Sequence, residues 1–297
     1  MHDDGATAHA HTRAERAPVP EVLTDVAARS AAQMSGENFP VALRLLPRRL
    51  RDPLAAVYAF ARFVDDVGDE APGDRLALLD VVAAEVRAEW QAGASTLAPV
   101  AGLRPWIDTR ALRSEPFLDL VEANRVDQTT SSYRTFADLM NYCRLSAAPV
   151  GRIVLRLADA DDERNVADSD AVCNALQVLE HCQDVGEDAA AGRVYLPQED
   201  LDSAGVVPSV LRGPTTPAPL RQVIAQQVQR ADDMLAAGRP LVRRLRGWTR
   251  VAVAGYVAGG EATVAALRAA DHDVLSRKVT PSKPRTAALL VARLAGR

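Results

Sequence analysis

The segment Ser169-Asp170-Ala171-Val172-Cys173-Asn174-Ala175-Leu176-Gln177-Val178-Leu179-Glu180-His181-Cys182-Gln183-Asp184-Val185-Gly186-Glu187-Asp188 reads as one long helix with two incompatible faces. Val172, Ala175, Leu176, Val178 and Leu179 have the spacing of a core-facing helical stripe. Glu180, Asp184 and Asp188 recur at i, i+4 and i+8, and side chains four apart on a helix lie one above the other. They form a stripe of carboxylates, with Gln177 one turn further up. Acids on a core-type helix are costly unless cations pair with them. The segment therefore predicts a buried helix that presents acids to an internal cavity.

A second acidic cluster, Asp65-Asp66-Val67-Gly68-Asp69-Glu70, ends another helical segment. That helix is predicted to start at Asp52-Pro53, with Asp as N-cap and Pro in the first turn, and to carry Leu54, Val57, Tyr58, Ala61 and Phe63. Asp65 then stacks on Asp69. Phe39, Tyr58, Phe60 and Phe63 lie just upstream, so aromatic surface precedes the acids. Gly68 weakens the helix locally, by about 1 kcal/mol against Ala. Two carboxylate faces converging across an apolar cavity suit Mg²⁺, which takes oxygen ligands, keeps several waters and binds through a few carboxylates plus substrate phosphates. No His/Cys set competes as ligands, and no Ser or Cys nucleophile with a His partner stands out.

Outward from these two segments the chain stays helical. Ala, Leu, Val and Arg dominate, and no Val/Ile/Thr/Tyr run suggests a sheet. The fold class is all-α. Residues 1–20 have no apolar period and read as a disordered tail; residues 21–297 read as one helical domain with no internal repeat. Further helices are expected over about 74–91, 104–113, 115–127, 220–246, 249–270 and 282–295, with loops at 93–103 and 206–219. The formal net charge of −4 argues against a nucleic-acid partner, and Arg243-Arg244-Leu245-Arg246 reads as a solvated helix face. Cys143, Cys173 and Cys182 lack metal-type spacing and cannot all pair, which fits a reduced cytoplasmic setting. No secretory signal opens the chain. Val251 to Ala270 is apolar but carries Glu261 and Arg268, so it reads as a core helix, not a membrane span. A peripheral membrane contact stays open.

The string Tyr58-Ala59-Phe60-Ala61-Arg62-Phe63-Val64-Asp65-Asp66-Val67-Gly68-Asp69-Glu70 resembles the first motif of squalene and phytoene synthases. Leu176-Gln177, Gln183 to Asp188 and Gly192-Arg193-Val194-Tyr195-Leu196-Pro197 resemble the second. Between them, Tyr142-Cys143 and Ser146-Ala147-Ala148-Pro149-Val150-Gly151 resemble the family's intervening segment. The resemblance runs from about residue 35 to 290. Glu37 to Val41, Leu45-Leu46-Pro47 and the Gly259-Gly260 helix are most similar to the bacterial hydroxysqualene synthase branch of hopanoid pathways.

The resemblance implies an isoprenoid synthase-type helical bundle around a central apolar cavity, and several Mg²⁺ ions. Candidate metal ligands are Asp65, Asp66, Asp69 and Glu70 from the first motif and Glu180, Asp184 and Asp188 from the second. Tyr58, Arg62, Tyr142 and Tyr195 are implied near the reacting centre. Phe39, Arg44, Phe63, Gln177 and Arg193 are implied as substrate contacts, with Arg62, Arg44 and Arg193 donating to phosphate oxygens and Phe39, Tyr58, Phe63 and Tyr142 facing a cation. The implied substrates are presqualene diphosphate or farnesyl diphosphate. The former would ionise and be trapped by water, giving hydroxysqualene and diphosphate, with a functional association to a presqualene diphosphate synthase. Two alternatives stay open: another head-to-head synthase making presqualene diphosphate, squalene or phytoene, and a non-catalytic helical partner of a hopanoid-pathway synthase. Two positions depart from the family pattern. Glu180 stands where Asn is common, and His272 where an aromatic is usual.

Overall fold

A computed structural model of the chain describes residues 18–34 and 48–296. Most of the N-terminal tail, and with it Phe39, Arg44 and the break expected after Ser35, lies outside the described residues. The chain folds through α1 (Glu21–Met34), α2 (Arg48–Glu70), α3 (Arg75–Ala92), α4 (Ala98–Ala101), α5 (Arg104–Arg110), α6 (Glu115–Thr129), α7 (Phe136–Ser146) and α8 (Ala148–Leu157). It continues through α9 (Glu163–Gln183), α10 (Val185–Ala190), α11 (Gln198–Ser203), α12 (Ala218–Gly238), α13 (Leu241–Arg244), α14 (Gly247–Ala269) and α15 (Lys283–Leu294). No strand occurs among the described residues; a single bridge joins Ser132 to Val194. The all-α expectation is borne out. No described helix is long and apolar enough to cross a membrane.

Local signals set most boundaries. Asp74 caps α3 by accepting from the Ala77 N–H at 3.0 Å. Thr135 and Asp138 close a reciprocal capping box on α7. Three differences from the sequence reading have physical causes. First, α2 starts one turn before Asp52, so Pro53 lies inside the helix. The Arg49 carbonyl that Pro53 cannot serve accepts instead from the Arg110 guanidinium at 3.4 Å. Second, α9 starts at Glu163, capped by Asp162. Its first turns are polar yet well packed, because Arg244 donates to Asn165 at 2.7 Å. Third, the acidic stripe does not lie on one helix. Asp184 ends α9 and begins α10, with a non-helical backbone of φ −103° and ψ 18°.

Two apolar cores meet at the centre. The first gathers Leu23 and Val26 of α1, Phe60, Phe63, Val64 and Val67 of α2, and Phe117 of α6; Phe60 and Phe117 pack edge to face at 5.2 Å. The second gathers α7, α9, α12 and α14, with α9 packed most extensively against α12. Helix α8 serves both, sending Ile153 and Leu157 into the first and Leu155 into the second. At Gly260 an added Cβ would press on Leu176 and Leu235 at 2.9 Å, so this glycine lets α14 approach α9 and α12.

Candidate active site

A cavity of about 350 Å³ opens where the C-terminal ends of α2 and α9 face one another across α6 and α7. Helix α2 contributes Asp65 and Asp69. Gln177 and Glu180 come from α9, Asp184 from the joint, Asp188 from α10, Tyr142 from α7, and Arg193 and Tyr195 from the loop that follows. Nine residues singled out from sequence therefore share one cavity.

Other expected residues do not line it. Asp66 sits one helical step round from Asp65, with Arg62 one turn before it, and both face α1. There the Arg62 Nε lies 3.1 Å from Asp66 Oδ1, and Ser30 donates to Asp66 Oδ2 at 2.5 Å. Phe63 is fully buried in the first core, because positions 60, 63, 64 and 67 form the apolar face of α2. Glu70 is exposed and Tyr58 half-buried, and neither reaches the cavity wall. His272 occupies a left-handed turn after α14, with φ of 56°, away from both cavities described here.

The two motifs are held to each other by hydrogen bonds. Arg193 donates to Asp69 Oδ1 at 3.0 Å, and its backbone N–H donates to the Asp188 carbonyl at 2.8 Å. Asn124 donates to Asp65 Oδ1 at 3.1 Å, and Gln128 to the Gly68 carbonyl at 3.0 Å. Gly68 is what allows this approach: a Cβ there would overlap Asn124 Oδ1. Its use is close packing of α2 on α6, beyond the local helix weakening that its sequence position indicates.

Asp127 sits at the back of the cavity, where its two oxygens accept from the Tyr142 hydroxyl at 2.7 Å and the Tyr195 hydroxyl at 3.1 Å. His181 stacks on Tyr195 with ring centres 3.8 Å apart. Its Nδ1 lies 3.9 Å from Asp188 Oδ2, yet burial lowers its pKa to about 3, so it stands neutral.

The carboxylates sense one another and their surroundings. Loss of solvation around the cavity lifts Asp65 to about 6, an effect that the Asn124 hydrogen bond opposes and that Asp69 reinforces. Burial, then the charges of Asp184 and Glu180, lift Asp188 to about 7. Glu180 is raised by burial and by Asp184. Asp184 is also raised by burial, with Lys278 opposing; the Lys278 Nζ lies 3.9 Å from Asp184 Oδ1. No three His, Cys, Asp or Glu side chains among the described residues converge closely enough to hold an ion by themselves.

A second cavity of about 240 Å³ adjoins the first, and the two share Ser146, Gln177 and Glu180 as wall. Its remaining lining is mostly apolar, including Val154, Leu155, Leu176, Leu241 and Val253. Val150 and Tyr256, exposed at 41% and 48%, stand at its edge. Sequence reasoning missed Asn124, Asp127, His181 and Lys278. The available signal for the first two was a polar pair three apart on α6, beside the apolar Leu120 and Ala123.

Residues 32–285 match the family described as squalene/phytoene synthase. The chain belongs to the squalene/phytoene synthase family. It is 34% identical over 283 residues to the hydroxysqualene synthase of Zymomonas mobilis, covering 90% of this chain and 92% of that protein. It is 36% identical over 225 residues to the hydroxysqualene synthase of Rhodopseudomonas palustris, covering 74% and 75%. Among solved structures, a squalene synthase from Alicyclobacillus acidocaldarius superposes with a TM-score of 0.77 at 40% identity, over 86% of this chain and 97% of that one. A dehydrosqualene synthase superposes with a TM-score of 0.79 at 22% identity, a likeness of fold. The chain is thus an enzyme of the squalene/phytoene synthase family, and its similarity to the hydroxysqualene synthase branch is borne out.

Proposed function

We propose that the chain converts presqualene diphosphate and water into hydroxysqualene and diphosphate. The observation that carries this reading is the pairing of a carboxylate-lined cavity with an apolar one through the shared wall of Ser146, Gln177 and Glu180. A prenyl diphosphate has the same two-part chemistry, an anionic head and a hydrocarbon body.

The donor set fits Mg²⁺. Asp65 and Asp69 face Glu180, Asp184 and Asp188 across one cavity, all are hard oxygen donors, and burial or mutual repulsion raises four of them. Since no three converge by themselves, phosphate oxygens would complete the coordination. When bound, the ions supply Lewis-acid neutralisation of the departing diphosphate. Arg193, already oriented by Asp69, donates to the phosphate oxygens. Tyr142 and Tyr195, their hydroxyls fixed by Asp127, present ring faces to the carboxylate-lined cavity. Arg62 and Asp66 act at one remove, by fastening α1 to α2. The apolar wall keeps bulk water from a reactive cation.

The substrate then has to be supplied by an enzyme that joins two farnesyl diphosphates. Exposed Val150 and Tyr256 at the edge of the apolar cavity favour a peripheral membrane contact for a water-insoluble product. Purified protein incubated with Mg²⁺ and presqualene diphosphate, with and without NADPH, tests the reading by mass spectrometry of products. Hydroxysqualene in both samples is expected. Squalene formed only with NADPH would sink it.

A further inference from the structure

The Ser146 hydroxyl is shielded from solvent and has no hydrogen-bond partner among the described residues. A serine in a helix can donate back to the carbonyl four residues earlier or turn to solvent, and this one does neither. Buried polar atoms without partners are uncommon and costly. Ser146 ends α7, just before the chain turns at Ala147 into α8. It is one of three residues common to the polar and apolar cavities, with Gln177 and Glu180. Gln177 directs its Nε2 along this border, 3.4 Å from Glu180 Oε2 and 3.4 Å from His181 Nε2.

We propose that Ser146 and Gln177 hold the water that quenches the cation, and that Ser146 is the residue that fixes where the hydroxyl group is installed. This rests on the water-quenched reaction proposed above. An ordered water needs about two to four polar partners, and the border offers a hydroxyl, a carboxamide and a carboxylate in a wall that is otherwise apolar on one side. A water held at that border beside Ser146 would give its hydroxyl the partner it lacks. In the step itself the C–O bond to diphosphate breaks and the diphosphate takes the bonding pair. The water oxygen then donates a lone pair to the cationic carbon, and one of its protons passes to the released diphosphate. Atoms and charge balance with no oxidant or reductant.

The test uses the full chain with presqualene diphosphate and Mg²⁺, comparing wild type, Ser146→Ala and Ser146→Thr. The readout is the ratio of hydroxysqualene to C30 hydrocarbon formed by proton loss from the same cation, which a general loss of activity or stability leaves unmoved. That ratio is expected to fall about 5-fold in Ser146→Ala, the size of one lost hydrogen bond. Ser146→Thr, which keeps the hydroxyl, is expected to stay within about 2-fold of wild type. An unchanged ratio in Ser146→Ala overturns the assignment, as does an equal fall in both variants. Wild type that releases diphosphate without forming hydroxysqualene overturns the proposed reaction and this inference together. Wild type that forms it alongside an unaltered Ser146→Ala overturns this inference alone.

Discussion

Arg193 donates to Asp69 at 3.0 Å although 124 residues separate them. Through its backbone the same residue donates to Asp188. One arginine thus ties the first acidic motif to the second and sets the gap between the two carboxylate walls.

Replacing Arg193 removes this tie and, in the proposed reaction, a donor to the phosphate oxygens. A hydrogen bond to a charged group contributes about 1.5–3 kcal/mol, so Arg193→Ala is expected to lower kcat/KM by about 10–100-fold. Arg193→Lys should recover part of the loss, because it keeps the charge and loses the planar fork. Steady-state kinetics on the three proteins measures this.

Asp69→Asn and Asp184→Asn keep side-chain size and remove a charge from opposite walls. Charge stabilisation at such a site amounts to several kcal/mol, so each variant should lose activity by about 1000-fold or more. Far-UV circular dichroism should be nearly unchanged. Retained turnover in either variant would overturn the proposed diphosphate clamp at these residues.

Gly68→Ala sets two effects against each other. Helix propensity favours Ala by about 1 kcal/mol, but the new methyl overlaps Asn124 Oδ1, and overpacking a tight contact costs about 1–3 kcal/mol. The steric effect wins because Asn124 is also committed to Asp65. Urea denaturation should show net destabilisation, and Asn124→Ala in the same chain should relieve most of it.

Asp188 provides a pH prediction. Burial lifts it from the ordinary 3.8 to about 7, so between those values the folded chain holds a proton that the unfolded chain has lost. Stability from this group therefore falls as pH rises through that window, and the penalty is complete above about pH 7. With chelator present, Asp188→Asn should melt a few degrees above wild type at pH 8, and the difference should shrink towards zero near pH 4. A difference independent of pH would remove burial of the charge as its cause.

The carboxylate stripes were legible because a helix converts a spacing of four into a shared face, and that rule needs no tertiary information. It settled Asp65 with Asp69 and the alignment of Glu180 with Asp184. What it does not settle is which neighbour each face meets. Asp66 lies one residue from Asp65, yet that 100° step turns it to α1 and Ser30, and Arg62, one turn before Asp66, goes with it. Phe63 likewise falls on the face that builds the first core. Asn124 and Asp127 read as ordinary surface polarity until α6 is placed against α2 and α7. His181 carries no signal of its own, since its neutrality comes from burial and its orientation from the Tyr195 ring. The polar start of α9 was invisible to a method that counts apolar residues, because its packing is carried by Arg244 and Asn165.

The joint at Asp184 has a mechanical consequence. On an unbroken helix the acids at 180, 184 and 188 would be locked at a rise of about 6 Å per step, and any adjustment would have to unwind the rod. With two helices meeting at Asp184, α9 can remain clamped against α12 while α10 pivots, carrying Asp188 with the Arg193 loop. The wall facing α2 is articulated where, in the proposed reaction, an anion of changing charge is first gripped and then let go.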